Sequence, residues 1–151
     1  MLGSVGSEVI FYTDGSVDPK RKDGSWAFLR VENDSILREG FGSNKKTDSA
    51  RMEMLAVIEA LTTLESASKV TVNTDCRMLI EAMLHFVPVW KANGWRKPKG
   101  DKLIPNVDLY IRLDELASIH TVTWRWVKGH SGNLYNERCD ELCRMARVSS
   151  S

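Results

Sequence analysis

Val9-Ile10-Phe11-Tyr12-Thr13 is an unbroken run of strand formers that ends on a carboxylate, Asp14, with Gly15-Ser16 behind it. Apolar, β-branched and aromatic side chains at this density fit a strand covered on both faces, so the run predicts the centre of a sheet. An acid ending such a strand is costly to bury without a cation or hydrogen-bond donors, and otherwise takes up a proton. Asp14 therefore either holds a turn through Gly15-Ser16, as Asp-Gly pairs commonly do, or meets a metal ion. Lys69–Thr74 repeats the arrangement, a short β-run and a threonine followed by Asp75. Asp75 can be read as the cap of a helix from Cys76 to Leu84. Yet ligands of α/β sheets collect at the carboxyl ends of strands. If these two strands run parallel, both acids face one crevice, which two unrelated caps would not explain.

The 151 residues, 42% hydrophobic and 27% charged, suit a single domain spanning 1–151 with a sizeable core, its ends 1–7 and 149–151 frayed. Ser25–Val31 and Ile36–Ser43, joined at Glu32–Ser35, extend the first run into an antiparallel meander. Gly40 and Gly42 around Phe41 predict a place where backbone approaches backbone. Three amphipathic helices follow from the apolar spacing. One runs from Arg51 to Leu64, capped by Asp48 or Ser49, with Met54, Leu55, Ile58 and Leu61 inward. Another runs from Asn106 or Val107 to Ile119 on Leu109, Leu113 and Leu116, and the last from Leu134 to Arg147. Thr121–Val127 closes the sheet as a fifth strand. Glu53 lies in the first turn of the first helix, where the dipole favours an acid, and Asp140 lies on the last.

The net charge of +1 hides an uneven spread. Within Phe86–Lys102, Lys91, Arg96, Lys97, Lys99 and Lys102 oppose Asp101 alone, with Trp90 and Trp95 interleaved. Such a surface suits a phosphate backbone and its sugars or bases, or else it is a solvated basic loop with the tryptophans tucked inward, Trp90 first among them. Lys20-Arg21-Lys22 is either a solvated hairpin tip or a phosphate contact. Cys76, Cys139 and Cys143 have no metal-ligand spacing and read as reduced thiols, as expected in a cytoplasmic or nuclear-type compartment. No apolar run approaches the ~20 residues that span a bilayer, and Met1–Ser7 lacks signal-peptide anatomy. The absence of a Gly-rich phosphate loop argues against a kinase-type transferase.

Asp14, Glu53, Asp75 and Asp140 can share the crevice, with no Cys–His cluster beside them. All-oxygen ligands select Mg²⁺ or Mn²⁺ over zinc or copper. Two such ions about 3.5–4 Å apart activate a water and stabilise the leaving oxygen in phosphodiester cleavage. His130 sits in the loop Lys128–Asn133, whose Gly129 and Gly132 would let it swing toward the same end of the sheet. A lone loop histidine is more often incidental.

Several pieces then combine: Tyr12-Thr13-Asp14-Gly15-Ser16, Arg51-Met52-Glu53, Asn73-Thr74-Asp75, Trp95, Asn106-Val107-Asp108-Leu109, Val127-Lys128-Gly129-His130-Ser131-Gly132 and Asn136-Glu137-Arg138-Cys139-Asp140-Glu141-Leu142. In this order, from Val9 to Met145, the chain resembles type 1 ribonuclease H in the bacterial-like form with a basic protrusion, here Val87–Lys102. The resemblance implies an α/β, ribonuclease H-like fold, a five-stranded mixed sheet (three antiparallel strands plus two parallel) flanked by helices. It implies a metal-dependent endonuclease that hydrolyses the RNA strand of RNA–DNA hybrids to 5′-phosphate and 3′-hydroxyl ends. Two Mg²⁺ ions, with Mn²⁺ as a substitute, are its cofactors, and a monomer is its default state.

Residue by residue, the resemblance makes Asp14, Glu53, Asp75 and Asp140 the metal-binding acids, and His130 an aid to proton transfer or product release. Nucleic-acid contacts are expected at Lys20, Arg21, Lys22, Ser49, Arg51, Arg77, Trp90, Lys91, Trp95, Arg96, Lys97 and Lys99. The family usually carries Thr-Asn-Asn before Arg51, where this chain has Asp48-Ser49-Ala50, and a glutamine where Arg77 stands. These departures raise a ribonuclease H with altered substrate discrimination as one alternative. A non-catalytic nucleic-acid-binding module on the same fold is another, and the presence of all four acids and His130 argues against it.

Overall fold

The computed structural model describes residues 8–129 and 131–150, with side chains to residue 148. Met1–Ser7 and His130, on which two sequence expectations rest, lie outside the described residues. The strands are β1 (Glu8–Val17), β2 (Gly24–Glu32), β3 (Ser35–Asn44), β4 (Lys69–Thr74) and β5 (Thr121–Trp126), and they form one sheet in the order β3-β2-β1-β4-β5. β1–β2 and β2–β3 pair antiparallel, β1–β4 and β4–β5 parallel. The central position of β1 follows from its composition: period-2 alternation sends Val9 and Phe11 to one face and Ile10 and Tyr12 to the other, and both faces are covered.

One covering layer is α1 (Ser49–Thr62) with α4 (Val107–Ile119), whose Met54, Val57, Leu61, Leu109 and Leu113 pack on Phe11, Phe28, Val70 and Val72. The other is α5 (Leu134–Ser150), which lays Cys139, Leu142 and Cys143 on Ala27, Leu29 and Val31. Burial pushes the Cys143 thiol up to about 12. The two α5 thiols are thus packing groups, and all three cysteines are unpaired.

Four local expectations are corrected. β1 does not turn at Gly15-Ser16 but continues to Val17, with Asp14 opposite Ala27 and Ser16 opposite Ser25. Gly40 and Gly42 meet rings rather than backbone, since an added Cβ would lie 2.2 Å from the Phe28 ring and 2.5 Å from that of Trp26. These are the directly opposed residues of β2, so the glycines make room for cross-strand rings. The helix expected to end at Leu84 is α2 (Arg77–Glu81), followed by a π-helical turn (Ala82–Phe86) and α3 (Val87–Ala92). Pro88 supplies the reason, because it has no N–H for the preceding turn and its ring crowds the carbonyl four residues back. Finally, α5 runs to Ser150, three residues past its expected end. No described helix is long and apolar enough to cross a membrane.

Candidate active site

The parallel register ends with Thr13 beside Thr74, so Asp14 and Asp75 are each the first residue beyond it. Both threonines are buried and hold the strand ends in the core. Asp75 is not the cap of α2: the N-cap residue is Cys76, which makes no side-chain cap bond. Glu53 reaches the same point from α1. That helix begins at Ser49, capped by the Asp48 carboxylate, which accepts from Arg51 N at 2.9 Å. Glu53 therefore sits one turn in rather than in the first turn, above Gly15. A Cβ on Gly15 would lie 2.4 Å from Glu53 N. Only glycine lets α1 come this close to β1.

Carboxylate oxygens of Asp14, Glu53 and Asp75 lie within 4.8 Å of one another, the one such group among the described residues. Burial, the neighbouring Asp75 and the Asp140 charge push Asp14 up to about 7, against a hydrogen bond from Gly15 N to Oδ1 at 2.9 Å. Burial, then Asp14 and Asp75, raise Glu53 as well. Its Oε1 is buried with no hydrogen-bond partner. Three carboxylates held together against their own repulsion, with one buried Glu53 oxygen lacking a donor, fit a hard divalent cation.

Asp140 stands at the rim of this group. Its charge reaches Asp14, but its carboxylate is paired with Arg144 one turn along α5. α5 is started by Asn133, whose Oδ1 accepts from Tyr135 N and Asn136 N at 3.1 and 3.0 Å. It is docked beside Asp14 by Ser25 Oγ, which donates to the Cys143 carbonyl at 2.8 Å, and by Arg147, which donates to Ser16 and Ser25 hydroxyls.

The residues expected to touch nucleic acid fall into several settings. Lys20, Arg21 and Lys22 are exposed on the β1–β2 loop, which Asp18 braces by accepting from Lys20 N and Arg21 N. Ser49 is exposed at the start of α1. Arg51 forms a bidentate pair with Asp108 at 2.8 and 3.0 Å and donates to Asn106, tying α1 to α4. Trp90 packs between Phe86 and Tyr110, and Lys91 pairs with Asp114 at 2.8 Å. Trp95 is half-buried with φ of 65°, Arg96 donates to the Asp101 carbonyl, and Lys97 and Lys99 are exposed. Arg77 is exposed beside Asp75, its guanidinium 4.2 Å from the centre of the Trp126 ring.

Sequence reasoning did not single out Trp126 or the packing role of Gly129. Trp126 Nε1 donates to the Asp75 carbonyl at 3.3 Å. A Cβ on Gly129 would lie 2.8 Å from Asp75 Oδ2, so this glycine lets the chain leaving β5 pass against the acid. Neither role has a local signal, since both depend on β5 ending beside β4.

A mixed sheet that gathers acids at the ends of its two central parallel strands defines a metal-dependent nuclease class of site. The profile of the RNase H family matches residues 6–147. A ribonuclease H of Ruegeria pomeroyi is 44% identical over 141 residues, covering 91% of this chain and 90% of that protein. Among solved structures, LC9-RNase H1, a type 1 RNase H with the type 2 active-site motif, superposes with a TM-score of 0.82 at 27% identity, over 95% of this chain and 74% of that one. LC11-RNase H1, solved with an RNA/DNA hybrid, shares the fold with a TM-score of 0.71 at 17% identity, over 94% of this chain and 98% of that one. The chain belongs to the ribonuclease H family, of type 1.

Proposed function

We propose that this protein hydrolyses the RNA strand of RNA–DNA hybrids endonucleolytically, with Asp14, Glu53, Asp75 and Asp140 holding two Mg²⁺ ions, or Mn²⁺ in their place. The observation that carries the reading is the convergence of three carboxylates within 4.8 Å at the ends of β1 and β4. When bound, the ions supply activation of the attacking water and charge stabilisation of the leaving 3′ oxygen. The chain's own part is positional. Gly15 N holds the Asp14 carboxylate, the Trp126 indole holds the backbone of Asp75, and Asn133 and Arg147 set the α5 helix that carries Asp140. Hydrolysis with departure of the 3′ oxygen leaves 5′-phosphate and 3′-hydroxyl ends. His130 is the candidate for moving a proton or freeing product. A monomer is the default state, and the unpaired thiols suit a reducing cytoplasm.

The 2′-hydroxyl is what tells the cut strand from DNA. Asp48, which would repel a phosphate if it faced one, turns its carboxylate into the α1 cap instead. The deciding experiment is cleavage of a labelled RNA–DNA hybrid with and without Mg²⁺, beside double-stranded RNA and double-stranded DNA. The expected result is Mg²⁺-dependent cutting of the RNA strand of the hybrid alone. Cutting of double-stranded RNA as well would establish relaxed discrimination around Ala50. Binding without cutting would overturn the catalytic reading.

A further inference from the structure

The arginines near the acid group are mostly spoken for. Arg51 is held by Asp108, Arg138 by Glu39 and Glu141, Arg144 by Asp140, and Arg147 by Ser16 and Ser25. Arg77 differs. It stands two residues beyond Asp75, it is exposed, and among the described residues no hydrogen bond or ion pair engages it. What it has is a face-on contact, with its guanidinium carbon 4.2 Å from the Trp126 ring centre. That ring is itself fixed. Trp126 pairs with Thr74 in the β4–β5 register, Val127 N donates to the Thr74 carbonyl at 2.9 Å, and the indole N–H donates to the Asp75 carbonyl at 3.3 Å.

A guanidinium held over an indole face, with no hydrogen bond or ion pair among the described residues, keeps its N–H fork open. That fork matches two phosphate oxygens, and stacking reduces the side-chain freedom that binding them would otherwise remove. The acid group and this cation then sit side by side, with Asp75 just past the end of β4 and Arg77 at the start of α2. We propose that Arg77, held on Trp126, is a backbone-phosphate contact for the strand being cut, with Trp126 as its positioning residue. The proposal rests on the hybrid-cleavage reading and adds to it a fixed register: the clamp holds a phosphate near the one at Asp14 and Asp75. Lysine cannot replace it fully, because an ammonium neither lies flat on the ring nor grips two oxygens at once.

The test is hybrid binding by fluorescence anisotropy across a salt series, in an Asp14→Asn background that does not cleave. Adding Arg77→Gln is expected to weaken binding on the order of 3- to 10-fold for every hybrid sequence and to reduce the slope of log K against log[salt] by roughly 0.7–0.9. Arg77→Lys should keep the slope and recover part of the affinity. Trp126→Ala should weaken binding more when Arg77 is present than with Arg77→Gln, as a double-mutant cycle requires of a coupled pair, the part common to both reflecting the lost hydrogen bond to the Asp75 carbonyl. In the otherwise wild-type enzyme, Arg77→Gln should raise KM more than it lowers kcat, with the melting temperature unchanged. An unchanged slope and affinity would overturn the proposal. So would a loss confined to particular base sequences at constant slope, which would mark a base contact. If the Asp14→Asn protein fails to bind hybrid and the wild type fails to cut it, the functional reading itself is what fails.

Discussion

At the ends of β1 and β4, three carboxylates converge on buried, hydrogen-bonded backbone, whereas from Val87 to Lys102 the cations ride a six-residue helix and the turns after it. The first region pays heavily in repulsion and desolvation, and the scaffold around it is correspondingly stiff. Thr13 and Thr74 are buried, and Gly15 is pressed against α1. The second region keeps its charges in water. Its order comes from Trp90 against Phe86 and Tyr110, from Lys91 on Asp114, and from hydrogen bonds such as Ile104 N to the Trp95 carbonyl at 2.9 Å. A site for chemistry needs fixed distances, while a surface for a long polyanion needs summed charge and tolerates side-chain freedom. Changes in the first region should therefore act on rate and fold together, and changes in the second on affinity alone.

The sharpest break in that contrast is Asp75→Asn. It should lower single-turnover cleavage on the order of 10³-fold, since a catalytic metal contributes several kcal/mol and each 1.36 kcal/mol is tenfold. Hybrid binding should hold and the melting temperature of the metal-free protein should not fall, because Asp75 does not cap α2 and its charge adds to the repulsion on Asp14 and Glu53. A large fall in melting temperature would return Asp75 to a structural role. Next comes Gly15→Ala, whose Cβ would lie 2.4 Å from the α1 backbone. Overpacking of this kind costs about 1–3 kcal/mol, and the displacement of Glu53 should slow cleavage at the same time. Chemical denaturation and kinetics on one preparation test whether the two effects travel together.

The pH dependence of the metal-free protein is a subtler probe. Asp14 titrates in the fold near 7, above the value of roughly 3.9 it has in an unfolded chain. Its folded pKa is raised, so the unfolded state releases the proton first. Stability from this group is then lost as pH climbs from about 4 to about 7. Glu53 shifts in the same direction. Thermal melts should show Mg²⁺ raising the melting temperature more at pH 8 than at pH 5.5, and Asp14→Asn should flatten the metal-free profile. A Mg²⁺ effect independent of pH would contradict it. The smallest effect belongs to the arm. Lys97→Ala with Lys99→Ala should change stability by no more than about 0.5 kcal/mol, as surface substitutions usually do. It should reduce the salt slope of hybrid binding by roughly 0.7–0.9 for each phosphate that these lysines neutralise. An unchanged slope would mean that they face away from the substrate.

Much of both regions could be seen in the amino-acid sequence. Phe11 and its neighbours announced a doubly covered strand because burial on both faces demands an apolar run, and Leu109, Leu113 and Leu116 announced α4 because helical spacing is a local property. Asp14 and Asp75 stood out because an acid at the end of a β-run is a poor choice for packing alone. The β1 boundary was misjudged, since Gly15 looks like a turn residue when its role is to let α1 approach, and that helix lies some forty residues away in the chain. Gly40 and Gly42 misled for the same reason, their partners being rings on β2.

By itself, the sequence determined the strand and helix types, the acids that could bind metal and the uneven spread of positive charge, because periodicity, propensity and charge are carried by neighbours along the chain. Only the tertiary structure decided the rest. It joined Asp14, Glu53 and Asp75 within 4.8 Å, left Asp140 at the rim on Arg144, engaged Arg51 within the fold, and laid Arg77 on Trp126. Each of these depends on which strand ends beside which, and that is settled by how the whole sheet buries its two faces at once.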